Sequence, residues 1–373
     1  MKICFWGNIA SALKDKTDGG GELQLALLAK ALAKGGHEVV IIDYNTSEDF
    51  ITEDGIKVLK IGKWNKGPRV IRSFTHRLPQ LYKSLKAQKA DVYYCRIRDF
   101  RHILSFWAAR KVKAKFVLGL ASDLDAMGFS KRLKYYYLLS PGSLWSFSSG
   151  LLIEIIQPFL LRNADLVISQ HEVQKNYLQK RGIASIVLPN LIDCFEKPTF
   201  PDEPPKDYIY VGRLDKRKGF TEFFELIQKS PSQTFKIVGQ PRDKAARFYF
   251  DKLKEFSNVT LWGRLSHSET LNLIMNSKAL ISTSQMEGFP NVFIEAWACG
   301  IPVLSLYIDP GVIEKEKLGQ VFNGNLNQLS KAVQDFHKSR EFSSKARLYV
   351  EQNHLLNTNK IESIKNLFNN LAK

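Results

Sequence analysis

The chain has 373 residues, 44% hydrophobic and 24% charged, with a formal net charge of +17. That length exceeds one small core and favours two domains, and the composition is that of a globular protein rather than a disordered or fibrous one. No apolar run reaches the length of a membrane span, because the richest, LLIEIIQPFLL, is broken by Glu154 and Pro158. The charge implies an acidic partner, with nucleic acid, anionic lipid and a phosphorylated substrate as the candidates. Four cysteines, Cys4, Cys95, Cys194 and Cys299, show no close pairing. Cys4, Cys95 and Cys299 sit in apolar contexts and are expected to be packing thiols of a reducing cytosol. The opening MKICFWGN enters a strand directly, with no signal region, so the expected location is cytoplasmic.

In chain order, the strand KICFW is followed by TDGGGELQLALLAKAL, residues 17–32. Gly19, Gly20 and Gly21 stand before a strong helix, where glycine allows positive φ and close backbone approach to an anion. A Gly-rich loop of this kind is weak evidence alone; it is neither GxGxxG nor a Walker sequence. Glu22 reads as a first-turn helix acid, and Gly35-Gly36 stop the helix. Strands VVIID and IKVLKI lead into a basic stretch. From Lys60 to Lys89 there is no acid, and Trp64, Phe74, Leu78, Leu81 and Tyr82 are interleaved with Lys63, Lys66, Arg69, Arg72, Arg77, Lys83 and Lys86. Lys131, Arg132 and Lys134 before Tyr135, Tyr136 and Tyr137 repeat the mixture. Two readings stand equal: an interfacial helix on an anionic bilayer, or a solvated basic face with its aromatics in the core. DVYYC, KFVLGL, DLVIS and SIVLP complete an alternation of strands and amphipathic stretches, which argues for a parallel sheet covered on both faces.

KPTFPDEPPKD, residues 197–207, reads as a linker on its four prolines and its charges. The alternation then resumes with YIYVG, FKIVG, VTLWG, ALIST and PVLSL. In YIYVGRLDKRKGF a strand delivers Gly212 and Arg213, and Lys218 with Gly219 opens a helix. A guanidinium fork and an ammonium at such a place suit a diphosphate; the alternative for Arg213 is a strand-end ion pair with Asp215. Farther on, STSQMEGFPNVFIEAWACGIPVL pairs Glu287 and Glu295 across seven intervening residues. The helix there is expected to begin near Asn291, leaving Glu287 on the loop, Glu295 about one turn in, and backbone N–H groups as an anion cradle. Two Glu at that spacing alone are ordinary surface acids. After Asn325 the chain reads as helical to its end.

The segment through EGFPNVFIEAWACGIPV resembles the E-x7-E signature of retaining GT-B glycosyltransferases of family GT4. The resemblance implies two Rossmann-like α/β domains facing across a cleft: residues 1–196 for the acceptor, 208–350 for the nucleotide sugar, and 351–373 as a helix packing back on the first domain. It gives Glu287 the donor sugar, Glu295 the ribose, and Arg213 and Lys218 the diphosphate, with Glu287, Arg213 and Lys218 as the catalytic set. Gly19, Gly20 and Gly21 match the loop that closes over the donor phosphate. Gly212 beside Arg213, Gly239 and Leu265 where related enzymes frame the nucleobase, and the turn Gly288, Phe289, Pro290, Asn291 and Val292 complete the expected donor site; Arg242, a further candidate for the nucleobase pocket, and Arg264 are as well read as solvated surface. LPNLID, residues 188–193, is similar to the family's Asn-Gly-x-Asp turn with Leu191 in place of Gly. Family members carry a His after the strand that here reads KFVLGL; this chain has LASDLD, so Asp123 is the nearest polar group.

The expected function is retaining transfer of a sugar from a nucleoside-diphosphate sugar, UDP-linked in preference, to a glycan or lipid-linked acceptor in cell-surface polysaccharide or lipopolysaccharide assembly. No cofactor is expected and no obligatory metal, Asp123 and Asp125 matching a DxD only by accident. The basic first domain is a candidate for an anionic membrane surface, which would make the protein peripheral on the inner face of the cytoplasmic membrane. Two rivals remain: a same-fold sugar-nucleotide epimerase or soluble-acceptor transferase, and a non-enzymatic nucleic-acid module. The second rests on charge alone, without a recognised motif or base-stacking platform.

Overall fold

The structure, a computed structural model, describes residues 1–14, 19–68, 71–128, 132, 144–193, 205–335 and 340–372. Residues 197–204 of the expected linker, Cys194, Arg69, and the Lys131, Lys134 and Tyr135–Tyr137 cluster lie outside the described residues. The chain divides into two compact units. One comprises Met1–Asp193 with Leu356–Lys373, and the other Cys194–Leu355.

The first unit holds, among the described residues, eight strands: β1 (Lys2–Gly7), β2 (Glu38–Asp43), β3 (Phe50–Ile51), β4 (Lys57–Lys60), β5 (Val92–Cys95), β6 (Lys115–Gly119), β7 (Leu166–Ser169) and β8 (Ile186–Val187). Their order in the sheet is β3-β4-β2-β1-β5-β6-β7-β8. Every pairing is parallel except β3 with β4. The sheet is buried on both faces, as continuous apolar runs such as VVIID require. On one face lie Ile3, Phe5, Leu28 and Leu32, together with Ile364 and Phe368 from the last helix, Thr358–Ala372. Phe368 is fully buried and stands 6.4 Å from the Tyr94 ring.

On the other face Trp64 and Leu81 are buried, and Leu78 and Tyr82 pack half-buried beside them. Most of the aromatic and leucine side chains of the basic stretch therefore serve the core; Phe74, 62% exposed, does not.

The second unit forms, among the described residues, a six-stranded parallel sheet: β9 (Tyr208–Val211), β10 (Phe235–Val238), β11 (Val259–Gly263), β12 (Ala279–Ser282), β13 (Val303–Ser305) and β14 (Gly319–Val321), in the order β11-β10-β9-β12-β13-β14. Helix Phe220–Lys229 shows how its sequence chooses its face, with Phe220, Phe223, Phe224 and Ile227 at helical spacing and all buried. The expectation of two Rossmann-like α/β units holds. Strands β3 and β14 were not expected, because FI and GQV do not lie in a longer apolar run, unlike the equally short β8 and β13. Cys4, Cys95 and Cys299 are buried free thiols, and burial pushes the Cys95 thiol up to about 12.

In both sheets the strand order reverses beside the first strand of the unit, between β1 and β5 and between β9 and β12. Ligands of open α/β sheets bind outside the carboxyl ends of strands at such a point. Phe368→Ala should cost about 3 kcal/mol. It should speed hydrogen exchange in β1 and β5 while leaving β9 to β13 unchanged, because the lost contacts belong to the first unit alone.

Candidate active site

At the second unit's switch point the backbone comes first. Gly212, just after β9, and Gly239, just after β10, both have φ of +150°. A Cβ on Gly239 would lie 1.9 Å from the Gly212 carbonyl oxygen, so these loops pass backbone against backbone. Asp215, 7% exposed, caps the short turn Lys216–Lys218, its Oδ1 accepting from the Lys218 amide at 2.9 Å. Gly219, at φ +65°, then launches helix Phe220–Lys229, and a Cβ there would lie 1.9 Å from the Thr283 carbonyl oxygen.

Thr283 Oγ1 donates to the carbonyls of Lys218 and Gly219 at 3.1 and 2.8 Å, and the Tyr210 hydroxyl donates to Lys218 O at 3.0 Å. Burial, with the carboxylates of Asp215, Glu287 and Glu222 adding to it, holds the Tyr210 hydroxyl well above the ordinary phenol range, so it is a donor at any physiological pH. The Gln285 amide donates to Arg217 O at 3.0 Å and completes the clamp.

Held this way, Lys218 Nζ makes a short ion pair with Glu287 on the loop after β12. Arg213 Nε and Arg217 Nη2 each stand 3.7 Å from Asp215 Oδ2. The strand-end pairing weighed for Arg213 is thus present, but both guanidiniums are about half exposed and such pairs contribute little.

The helix Asn291–Ala298 begins where the sequence placed it, with Pro290 before it and Glu295 on its second turn. Glu295 Oε1 lies 3.2 Å from Nε2 of His267. That histidine opens helix His267–Met275, directly after the half-buried Leu265 and its capping Ser266. The Phe289 ring is 4% exposed and packs edge-on against Trp297 and His354, so Phe289 offers the site its main chain and not its ring. Gly288 and Pro290 are likewise buried, and Asn291 and Val292 half-buried. Arg242 is exposed.

In the first unit the three glycines are used differently from the expectation. Gly19, in extended conformation, is the N-cap of helix Gly20–Lys34, and Gly20 and Gly21 form its first turn; none has a positive φ. What is realised is close approach, since a Cβ on Gly21 would lie 2.8 Å from the Ile97 side chain, just past β5. The same helix supplies Gln24, whose side chain bonds both the amide and the carbonyl of Leu191 at 2.7 Å. Those bonds fix the LPNLID turn although it lacks the glycine.

Asp123 Oδ1 accepts from Gln174 Nε2 at 2.9 Å and lies 3.1 Å from His171 Nε2. Asp125 instead closes a capping box with Ser122 and sits 3.3 Å from Arg98 Nε. Burial raises the Asp125 carboxyl, against the Arg98 charge. Among the described residues no cluster of three or more His, Cys, Asp or Glu could hold a metal.

Two family models match: one described as Glycosyltransferase Family 4 over residues 18–195, and one described as Glycosyl transferases group 1 over residues 193–353. The chain is a family 4 glycosyltransferase of the GT-B type. Among relatives of this glycosyltransferase, an uncharacterized glycosyltransferase of Haemophilus influenzae is 25% identical over 82% of this chain and 80% of its own. A human phosphatidylinositol N-acetylglucosaminyltransferase subunit is 23% identical, over 77% of this chain and 59% of its own. In fold it is similar to sucrose-phosphate synthase of Thermosynechococcus elongatus, at TM-score 0.75 and 18% identity over 100% and 99% of the two chains. It is also similar to Anabaena Alr3699/HepE in complex with UDP and glucose, at TM-score 0.69 and 17% identity over all of both chains.

Four side chains of this arrangement carried no signal in the glycosyltransferase sequence: Thr283, His267 and His171 act across long separations that no spacing rule reaches, and Tyr210, only eight residues from its partner Lys218, lies in a strand where it reads as an ordinary core aromatic. Gly219→Ala should cost at least about 2 kcal/mol, from the left-handed φ and the clash with Thr283 O. The lost stability is read by urea denaturation, and an unchanged midpoint would show that the two loops are not in fixed contact.

Proposed function

We propose that this glycosyltransferase moves a sugar, with retention of anomeric configuration, from a nucleoside-diphosphate sugar to a glycan or lipid-linked acceptor. The observation that carries the reading is the Lys218–Glu287 pair, which joins the loops after β9 and β12 across the switch point of the second sheet. In this reading the donor diphosphate draws Lys218 away from Glu287 and takes Arg213 as well, and the two cations neutralise the leaving group. Glu287, so released, accepts hydrogen bonds from donor-sugar hydroxyls, and Glu295 holds the ribose. The acceptor hydroxyl attacks on the face from which the diphosphate departs. The bond from C1 to the phosphate oxygen breaks, the glycosidic bond forms, and the hydroxyl proton passes to the departing phosphate. The protein's contribution is positioning and charge neutralisation.

A UDP-linked donor is favoured by the likeness to the Anabaena protein, whose crystal structure holds UDP and glucose. A lipid-linked acceptor is favoured by the human relative, whose name gives phosphatidylinositol as the acceptor. Cell-surface polysaccharide or lipopolysaccharide assembly, on the inner face of the cytoplasmic membrane, is the setting we infer. Arg213 and Lys218 supply the countercharge, so turnover should survive metal chelation.

Glu287→Gln should lower turnover on the order of 10²-fold or more while leaving nucleotide affinity within about threefold, as measured by initial rates and calorimetry. An unchanged rate would remove Glu287 from the reaction, and an inverted anomeric centre in the product, read by NMR, would overturn retention. In a thermal-shift series, UDP should raise the melting temperature by mass action, with GDP and ADP raising it less. Arg213→Ala should abolish the rise.

A further inference from the structure

Three helices of the first unit cover one face of its sheet: Leu78–Gln88, His102–Lys111 and Leu144–Asn163. The first two pack side by side, and the third joins them where Phe159 meets Phe106 edge-on at 5.3 Å. Their inner sides are ordinary, with Leu81, Leu85, Phe106, Leu160 and Leu161 in one core.

Their outer sides are not. Leu151, Ile155 and Phe159, four residues apart along one helix face, are 53%, 64% and 43% exposed, and Trp107 on the neighbouring helix is 52% exposed. Lone exposed apolar residues need no explanation, but an aligned stripe does. Among the residues of these three helices there is a single acid, Glu154. It is turned inward, bonded to Arg98 Nη2 at 2.6 Å and to Arg132 Nε at 2.8 Å, with its side chain 9% exposed. The charges left outside on these helices are positive: Lys83, Lys86, Arg110, Lys111 and Arg162 are exposed. Asp165, beside the third helix, is occupied by Arg110 at 2.8 Å.

We propose that the outer face of this three-helix layer docks the enzyme on an anionic lipid bilayer, with Leu151, Ile155, Phe159 and Trp107 entering the interface and the basic residues meeting the headgroups. Charge selects the occupant. An apolar stripe whose flanks are uniformly basic and whose one acid is withdrawn matches a negatively charged, apolar-beneath surface. The chain's +17 supplies long-range attraction to it. The inference deepens the lipid-linked acceptor reading above, which it would serve by bringing the enzyme to its substrate, but it is tested without donor or acceptor.

The test is co-sedimentation of the full chain with vesicles of phosphatidylcholine alone and with about a third phosphatidylglycerol, at low and high salt. The wild-type chain should pellet with the anionic vesicles and not with the neutral ones. Leu151→Ser/Ile155→Ser should weaken that binding on the order of tenfold or more, and Lys83→Glu/Lys86→Glu should weaken it most at low salt. Both double variants change exposed side chains, so their unfolding curves and their UDP-induced thermal shifts should match the wild type, which separates loss of docking from loss of the donor site. Binding that survives the serine substitutions would overturn the proposal, as would no binding to anionic vesicles. A wild-type dimer that the serine variant dissociates in sedimentation velocity would assign the face to a second copy and overturn it too.

Discussion

The second unit depends on a backbone contact too close for any side chain. Gly219 lies against the Thr283 carbonyl, and Thr283 in turn bonds the carbonyls of Lys218 and Gly219. Because the approach leaves no room for a Cβ, the loop after β9 cannot drift from the loop after β12, and Lys218 is held in reach of Glu287. Asp215 and Tyr210 reinforce the turn from beneath, one through the Lys218 amide and the other through its carbonyl. A cation and a carboxylate more than sixty residues apart in the chain are thereby presented as one device, and only a neutral or mutually paired arrangement would be stable there without a ligand.

The first unit is governed by a different constraint, the cost of placing charge in a core. Glu154 interrupts an otherwise apolar run, and an unpaired carboxylate at its depth would be strongly unfavourable. Arg98 and Arg132, from distant parts of the chain, meet it there. The pairing has an effect on the surface as well, since it removes the one negative charge from a helix whose outward side is apolar. The polar chain of Arg96, Asn190, Gln170, Gln174 and Asp123 follows the same rule, each side chain having at least one partner at 2.6 to 2.9 Å.

Much of the architecture was legible along the chain. Continuous apolar runs such as VVIID and ALIS mark buried parallel strands, Gly35-Gly36 stops the helix that begins at Gly20, and Pro290 fixes the start of the helix that carries Glu295. Strands β3 and β14 were invisible because FI and GQV do not lie in a longer apolar run, whereas the equally short β8 and β13 do, in SIVLP and PVLSL. The basic stretch from Lys60 to Lys89 could be read two ways, since composition does not say which side of a helix meets the core. Trp64 and Leu81 went inward, while the exposed apolar stripe formed on Leu144–Asn163, a helix whose sequence stands out only for being too interrupted to span a membrane.

By itself the sequence determined the strand–helix alternation, the glycines at the turns after β9 and β10, and the residue types gathered in the two carboxylate- and cation-bearing motifs. These are local properties, set by period, φ and side-chain chemistry within a few residues. Tertiary structure alone decided that Lys218 rests on Glu287, that His267 faces Glu295, that His171 rather than Asp125 accompanies Asp123, and that Glu154 points inward. Each of those is a meeting of side chains from separate elements. Such meetings follow from sheet order and helix rotation, which no single stretch of sequence contains.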